Sequence, residues 1–217
     1  MEKATNIEHL ELELRFRVEK AKGAALFVDE FHEKKKQFNT LQAMRETGTL
    51  PKEAEDKYRT LQLELIGGRV DVDNLYEYRK VLELAELSPE QVNNILNHEN
   101  AHANTADQTQ SQKFNGYRIQ FTKDRNGDLL VQPFAKLETD YSFSDEQIMK
   151  DRMNVLEAPV RYGDRLSGDD KEKIQALQNE LIEKKSIGPT AVVSSVVDSN
   201  KSKRFDGFVN FWRGLFK

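Results

Sequence analysis

Residues 88–102 read Ser88-Pro89-Glu90-Gln91-Val92-Asn93-Asn94-Ile95-Leu96-Asn97-His98-Glu99-Asn100-Ala101-His102. The first four residues form a helix start. Ser88 can cap, and Pro89 suits the first helical position, where its missing N–H costs nothing. Gln91 stands where a capping box takes Glu or Gln. No proline follows within the segment, so the helix is predicted to run through both histidines. It is predicted to end between Asp107 and Gly116, in a run rich in Asn, Gln, Thr and Ser.

Beyond this helix, Tyr117, Ile119 and Phe121 alternate with polar residues. Asn126-Gly127 follows, a favoured turn pair, and then Leu129 to Phe134. Residues 117–134 therefore read as a β-hairpin, with Pro133 at an edge or strand end. Upstream, residues 1–87 read as helical. Val18, Ala21, Ala25, Val28, Phe31, Phe38 and Leu41 recur at helical spacing, with breaks at Gly48, Pro51 and Gly67-Gly68. Leu10 to Val18 also alternates like a strand, but its Leu, Glu and Arg residues favour helix. Downstream, Ser144-Asp145-Glu146-Gln147 and Ser167-Gly168-Asp169-Asp170 are two further helix starts. The predicted fold is mainly α with a small β-hairpin (α+β). Four regions are expected: helical 1–87, motif helix with hairpin and two further helices 88–185, linker 186–204, and an amphipathic helix 205–217.

The 217 residues are 32% charged and 37% hydrophobic, with a net charge of −4. No global basic field marks nucleic acid as a partner. Cysteine is absent, which removes disulfides, thiolate metal sites and a Cys nucleophile. That absence fits a reducing compartment, so a cytoplasmic location is expected. No apolar run approaches the roughly 20 residues a bilayer span requires, and the charged N-terminus does not read as a secretory signal. There is no phosphate-binding Gly loop and no Ser nucleophile elbow.

His98 and His102 lie one helical turn apart on one face, close enough to share a cation. Glu99 is adjacent to the first of them and can serve a metal-activated water as a base. His98-Glu99-Asn100-Ala101-His102, with its flanks from Ile95 to Asn104, resembles the active-site helix of the zincin metallopeptidase superfamily. The resemblance implies Zn2+ as cofactor, His98 and His102 as ligands, Glu99 as general base, and a peptide or protein substrate. The third histidine of the metzincin branch is absent after His102, so the gluzincin-like branch, which takes a downstream Glu, is favoured. A second helix crossing the first is the usual gluzincin solution. Glu157 is the preferred third ligand and Glu146 its alternative. Glu138 is a further candidate, with Asp140 and Asp151 as weaker ones. Tyr117, Tyr141 and Tyr162 are candidate oxyanion donors, against a simpler reading as core or hairpin aromatics. The hairpin edge offers a strand against which an extended peptide could lie.

The competing reading is a non-enzymatic helical interaction module, or an inactive zincin-like protein, with a docking tail. Phe205, Phe208, Val209, Trp212, Leu215 and Phe216 fall on one helical face. From Asp198 to Lys217 there are five basic and two acidic residues. Phe205–Lys217 therefore resembles an anchor that docks on the protein itself, on a partner protein, or on an acidic membrane surface. The last would make the protein membrane-peripheral.

Overall fold

The computed structural model describes residues 2–186, and the side chains of 7–183. The expected linker 186–204 lies outside these residues beyond its first position. The expected helix 205–217 lies outside them entirely. The elements run α1 (Glu2–Gly23), β1 (Leu26–Phe27), α2 (Val28–Glu46), a 3-10 turn (Lys52–Ala54), α3 (Glu55–Gly67), β2 (Arg69–Val72) and α4 (Leu75–Leu84). They continue with α5 (Pro89–Ala106), β3 (Gln112–Lys123), β4 (Leu129–Thr139), α6 (Asp145–Leu156), α7 (Ala158–Arg161) and α8 (Gly168–Ser186). The fold is mainly helical with one small sheet. None of the described helices is long and apolar enough to cross a membrane.

The described chain divides into two units. One holds residues up to Leu96 with Gly116–Phe134, and the other holds Asn97–Asn115 with the residues from Ala135 on. The dividing lines fall within α5, β3 and β4. The reason is β2. Arg69 to Val72 pairs antiparallel with Gln120 to Tyr117 of β3, which joins the hairpin to the N-terminal helices. At four residues, β2 is too short to register as a periodic pattern.

In the first unit, β3 is flanked by β2 and by β1, which runs parallel to it with Leu26 opposite Thr122. The apolar positions of the alternation expected for residues 117–121 face the core, but Gln120 between them is buried too, its amide donating to the Gly68 and Phe121 carbonyls. Tyr117, Ile119 and Phe121 are all buried, as are Val70 and Val72 of β2. Leu14, Val18 and Ala21 of α1 and Tyr78, Val81 and Leu82 of α4 complete this core. The stretch Leu10 to Val18 is helical, so Leu14 and Val18 point inward together at i and i+4 while Leu12 and Phe16 stay exposed. Tyr117 stacks on Tyr78 with ring centroids 4.3 Å apart.

The second unit packs α6 against α8 through Met149, Leu156, Ile174 and Leu177. A second cluster joins Ala106, Leu137 and Val155, with Phe114 against it. The hairpin strands are longer than expected, because β3 begins at Gln112 and β4 ends at Thr139. The polar run before Gly116 is thus the start of a strand. Its buried polar groups find partners on other elements. Ser111 donates both N–H and Oγ–H to Asp151 Oδ2, and Thr139 Oγ1 donates to Gln112 Oε1.

Candidate metal centre

The capping box at the head of α5 forms as its sequence predicts. Ser88 N–H donates to Gln91 Oε1 at 2.9 Å, and Gln91 N–H donates to Ser88 Oγ at 3.2 Å. From Glu99 onward the helix is buried on most of its surface. Ala101, Ala103 and Ala106 are small enough for neighbouring elements to approach closely, and only Asn104 in that stretch is exposed. His102 and Glu99 are therefore buried and His98 half-buried.

The two imidazoles converge on one carboxylate, that of Asp170. His98 Nε2 is 3.1 Å from Asp170 Oδ2, His102 Nε2 is 3.6 Å from the same oxygen, and the two Nε2 atoms are 3.3 Å apart. These three residues form the group that could hold a metal ion among the described residues. On the far side of each ring, Nδ1 is occupied. His98 Nδ1 lies 2.9 Å from Asp164 Oδ2, and His102 Nδ1 lies 2.8 Å from the Val155 carbonyl oxygen. With hydrogens on both Nδ1 atoms, a cation that displaces the Nε2 proton shared with Asp170 would meet both Nε2 lone pairs.

Asp170 is placed by the start of α8. Its backbone N–H donates to Ser167 Oγ, and Ser167 Oγ–H donates back to Asp170 Oδ2. This is a capping box with an aspartate at its third helical position. Asp164 is placed by the end of α7. Gly163, at φ 84°, donates its N–H to Val160 O, and Asp164 donates its N–H to Pro159 O. That pattern is a Schellman motif, which favours glycine at the left-handed position.

The electrostatics of the cluster favour a cation. The hydrogen bond to Asp170, opposed by burial and reinforced by the bond to Asp164, raises the His98 imidazolium to about 9. Burial by itself would raise Asp170. The bonds from His102, His98 and Ser167 overcome it and hold that carboxyl well below the usual carboxylate range. Asp164, more exposed, is also lowered: desolvation pushes it up, but the Arg165 N–H and His98 together outweigh that. Burial pushes the Glu99 carboxyl up, against the attraction of His102 and His98 and a hydrogen bond from the Ala135 N–H. That bond is short, with Ala135 N 2.6 Å from Glu99 Oε2.

The other expected residues lie elsewhere. Glu157 caps the end of α6 and is exposed, and Glu146 is exposed and paired with Lys150. The carboxylate that joins the histidines is Asp170, which sequence reading did not single out. Asp151 is committed to Ser111 and Gln147, and Asp140 accepts from the Ser142 N–H. Tyr117 is a core aromatic against Tyr78, Tyr141 lies at the limit of hydrogen-bond distance from Arg152, and Tyr162 is exposed. Asp164, the second residue missed, follows Gly163 directly, and a glycine beyond a short helix was the available signal.

No family model matches the chain, and neither does any curated protein or solved structure.

Proposed function

We propose that the chain is a zinc-dependent hydrolase, most simply a peptidase, with His98, His102 and Asp170 as the zinc ligands and Glu99 as general base. The observation that carries this reading is the triangle of donor atoms. Its edges are 3.3, 3.1 and 3.6 Å. Three ligands at zinc bond lengths of about 2.0–2.1 Å in a tetrahedron stand about 3.3–3.4 Å apart. Octahedral placement at comparable bond lengths brings them to about 3.0 Å. The observed edges bracket the tetrahedral value. Two imidazoles with one carboxylate is a donor set suited to zinc, and it leaves a fourth position open.

Charge supports the same reading. Asp164, Asp170 and Glu99 gather three carboxyl groups about two imidazoles. A divalent cation offsets their negative charge where burial makes it costly. The zinc would supply Lewis acidity and lower the pKa of a coordinated water toward about 7. Glu99, held on the same helix as both ligands, would accept that proton on its carboxylate and deliver it to the leaving amine. The Ala135 N–H fixes one of its oxygens.

A second reading keeps the cluster and removes the chemistry. His98 bonds to Asp164 and Asp170 at once, so an imidazolium shared by two carboxylates could tie α5 to α8 in a non-enzymatic helical module. Metal analysis separates the two. Protein produced with zinc supplementation should hold one zinc per chain, lost in His98→Ala. A zinc-free wild type would sink the hydrolase proposal and leave the ion cluster.

A further inference from the structure

The ligand triangle accounts for one face of each imidazole. The other face of His98 is held by a side chain that coordinates nothing. Resting on the zinc-site reading, we propose that Asp164 is a positioning residue, one that tunes metal affinity by fixing the tautomer and orientation of His98.

Geometry excludes Asp164 as a ligand of the same ion. Its Oδ2 contacts Nδ1 of His98, whereas Asp170 and His102 face Nε2 on the opposite side of the ring. A proton on Nδ1 shared with Asp164 leaves the Nε2 lone pair for the metal, and the carboxylate makes that nitrogen a stronger donor. The Asp164 carboxylate divides its work between two atoms. Oδ1 accepts from the Arg165 N–H at 2.6 Å, which leaves Oδ2 aimed at the histidine. The carboxylate is thus oriented by main chain although it is 42% exposed. Gly163 puts it there, since the turn that carries Asp164 passes through φ 84°.

The two ligands are supported differently. His102 leans on the Val155 carbonyl, a backbone group that side-chain substitution does not remove. His98 leans on a side chain. Asp164 is therefore the point at which the affinity of the site can be changed without touching a ligand.

The test is zinc affinity of the full-length protein, measured by competition with a chelating indicator, for wild type, Asp164→Ala, Asp164→Asn and Asp169→Ala. Removal of an outer hydrogen-bond partner weakens metal binding by about 10–100-fold. Asp164→Ala should show that loss while still reaching one zinc per chain at saturation. Asp164→Asn retains an oxygen that can accept from Nδ1 and should fall between. Asp169→Ala removes an equal charge nearby, from a side chain paired with Lys173, and should bind within about twofold of wild type. In zinc-loaded protein the His98 Nδ1 proton should exchange with water faster in Asp164→Ala, which nitrogen-15 NMR detects and a merely structural role would not produce.

Wild-type affinity in Asp164→Ala would overturn the assignment while leaving the zinc site intact. So would equal losses in Asp164→Ala and Asp169→Ala, which would mark a charge effect alone. Loss of the zinc itself at saturation would make Asp164 a ligand instead. A wild type that binds no zinc would refute the parent reading, a distinguishable result.

Discussion

Ser167 and Asp170 exchange hydrogen bonds across the first turn of α8, and the oxygen that accepts from Ser167 Oγ at 2.7 Å is the one that faces both histidines. One carboxylate oxygen thus serves a helix cap and a candidate metal site together. The cap holds Asp170 Oδ2 in place before any ion arrives, which lowers the ordering cost of binding.

Two substitutions should separate those roles. Asp170→Ala removes the ligand and the cap, whereas Ser167→Ala removes only the cap. Ser167→Ala should lower the stability of metal-free protein by about 0.5–2 kcal/mol, the usual worth of a cap, and Asp170→Ala by more, because it also removes the buried partner of His98. Zinc at a hundred times its dissociation constant should stabilise wild type by about 2.7 kcal/mol. For a chain of this size that is a rise of about 5–11 °C in Tm. Ser167→Ala should keep that rise and Asp170→Ala should lose it. Thermal melts with and without zinc check both, and a full zinc-dependent rise in Asp170→Ala would remove Asp170 from the ligand set.

Glu99 should behave as a base and not as a ligand. Its side chain is buried and takes the Ala135 N–H, so Glu99→Gln preserves shape and keeps one oxygen able to accept. Zinc content should remain at one per chain. Cleavage in a peptide-library screen should fall by about 10²–10⁴-fold, the typical contribution of a positioned acid–base group. Unchanged cleavage would take the proton-transfer role away from Glu99.

The helix starts were legible because capping is local. Ser88, Ser144 and Ser167 each announce their helix within four residues, and each bond forms as written. The His98–His102 pair was legible for the same reason, since one turn of helix fixes its spacing. The third carboxylate was not. Asp170 stands 68 positions after His102, and nothing local says which acidic residue folds back onto α5. Family resemblance pointed to a glutamate, but Glu146 on α6 and Glu157 at its C-cap are both exposed. Asp170 was already visible as part of a cap, and its second task depends on tertiary packing alone. β2 escaped notice because its four residues acquire meaning only when paired with β3.

Asp151 illustrates a carboxylate with a structural task. It is buried, its Oδ2 accepts two bonds from Ser111, and its Oδ1 accepts one from Gln147 Nε2. Asp151→Ala would leave the Ser111 N–H and hydroxyl buried without that acceptor. An unsatisfied buried group costs about 1–3 kcal/mol, so the variant should lose about 2–4 kcal/mol in urea unfolding. Its zinc stoichiometry should match wild type. Loss of zinc from a folded Asp151→Ala protein would return this residue to the list of ligands.

Gly116 marks the point where β3 must pass close to β2. Its φ is 85°, and a Cβ there would meet the Val72 carbonyl oxygen at 2.6 Å. Both features act against any other residue. The backbone conformation alone costs a non-glycine residue of the order of 1–3 kcal/mol, and the clash falls on main chain that is held by the pairing of Val72 with Tyr117. Gly116→Ala should therefore lower the urea midpoint with little change in m-value, as expected when the native state alone is strained. The contrast is Gly127→Ala in the hairpin turn. Its φ is 90° but its Cβ would meet nothing within 4 Å, so only the conformational cost applies. Equal losses at the two positions would show that the approach to Val72 adds no cost of its own.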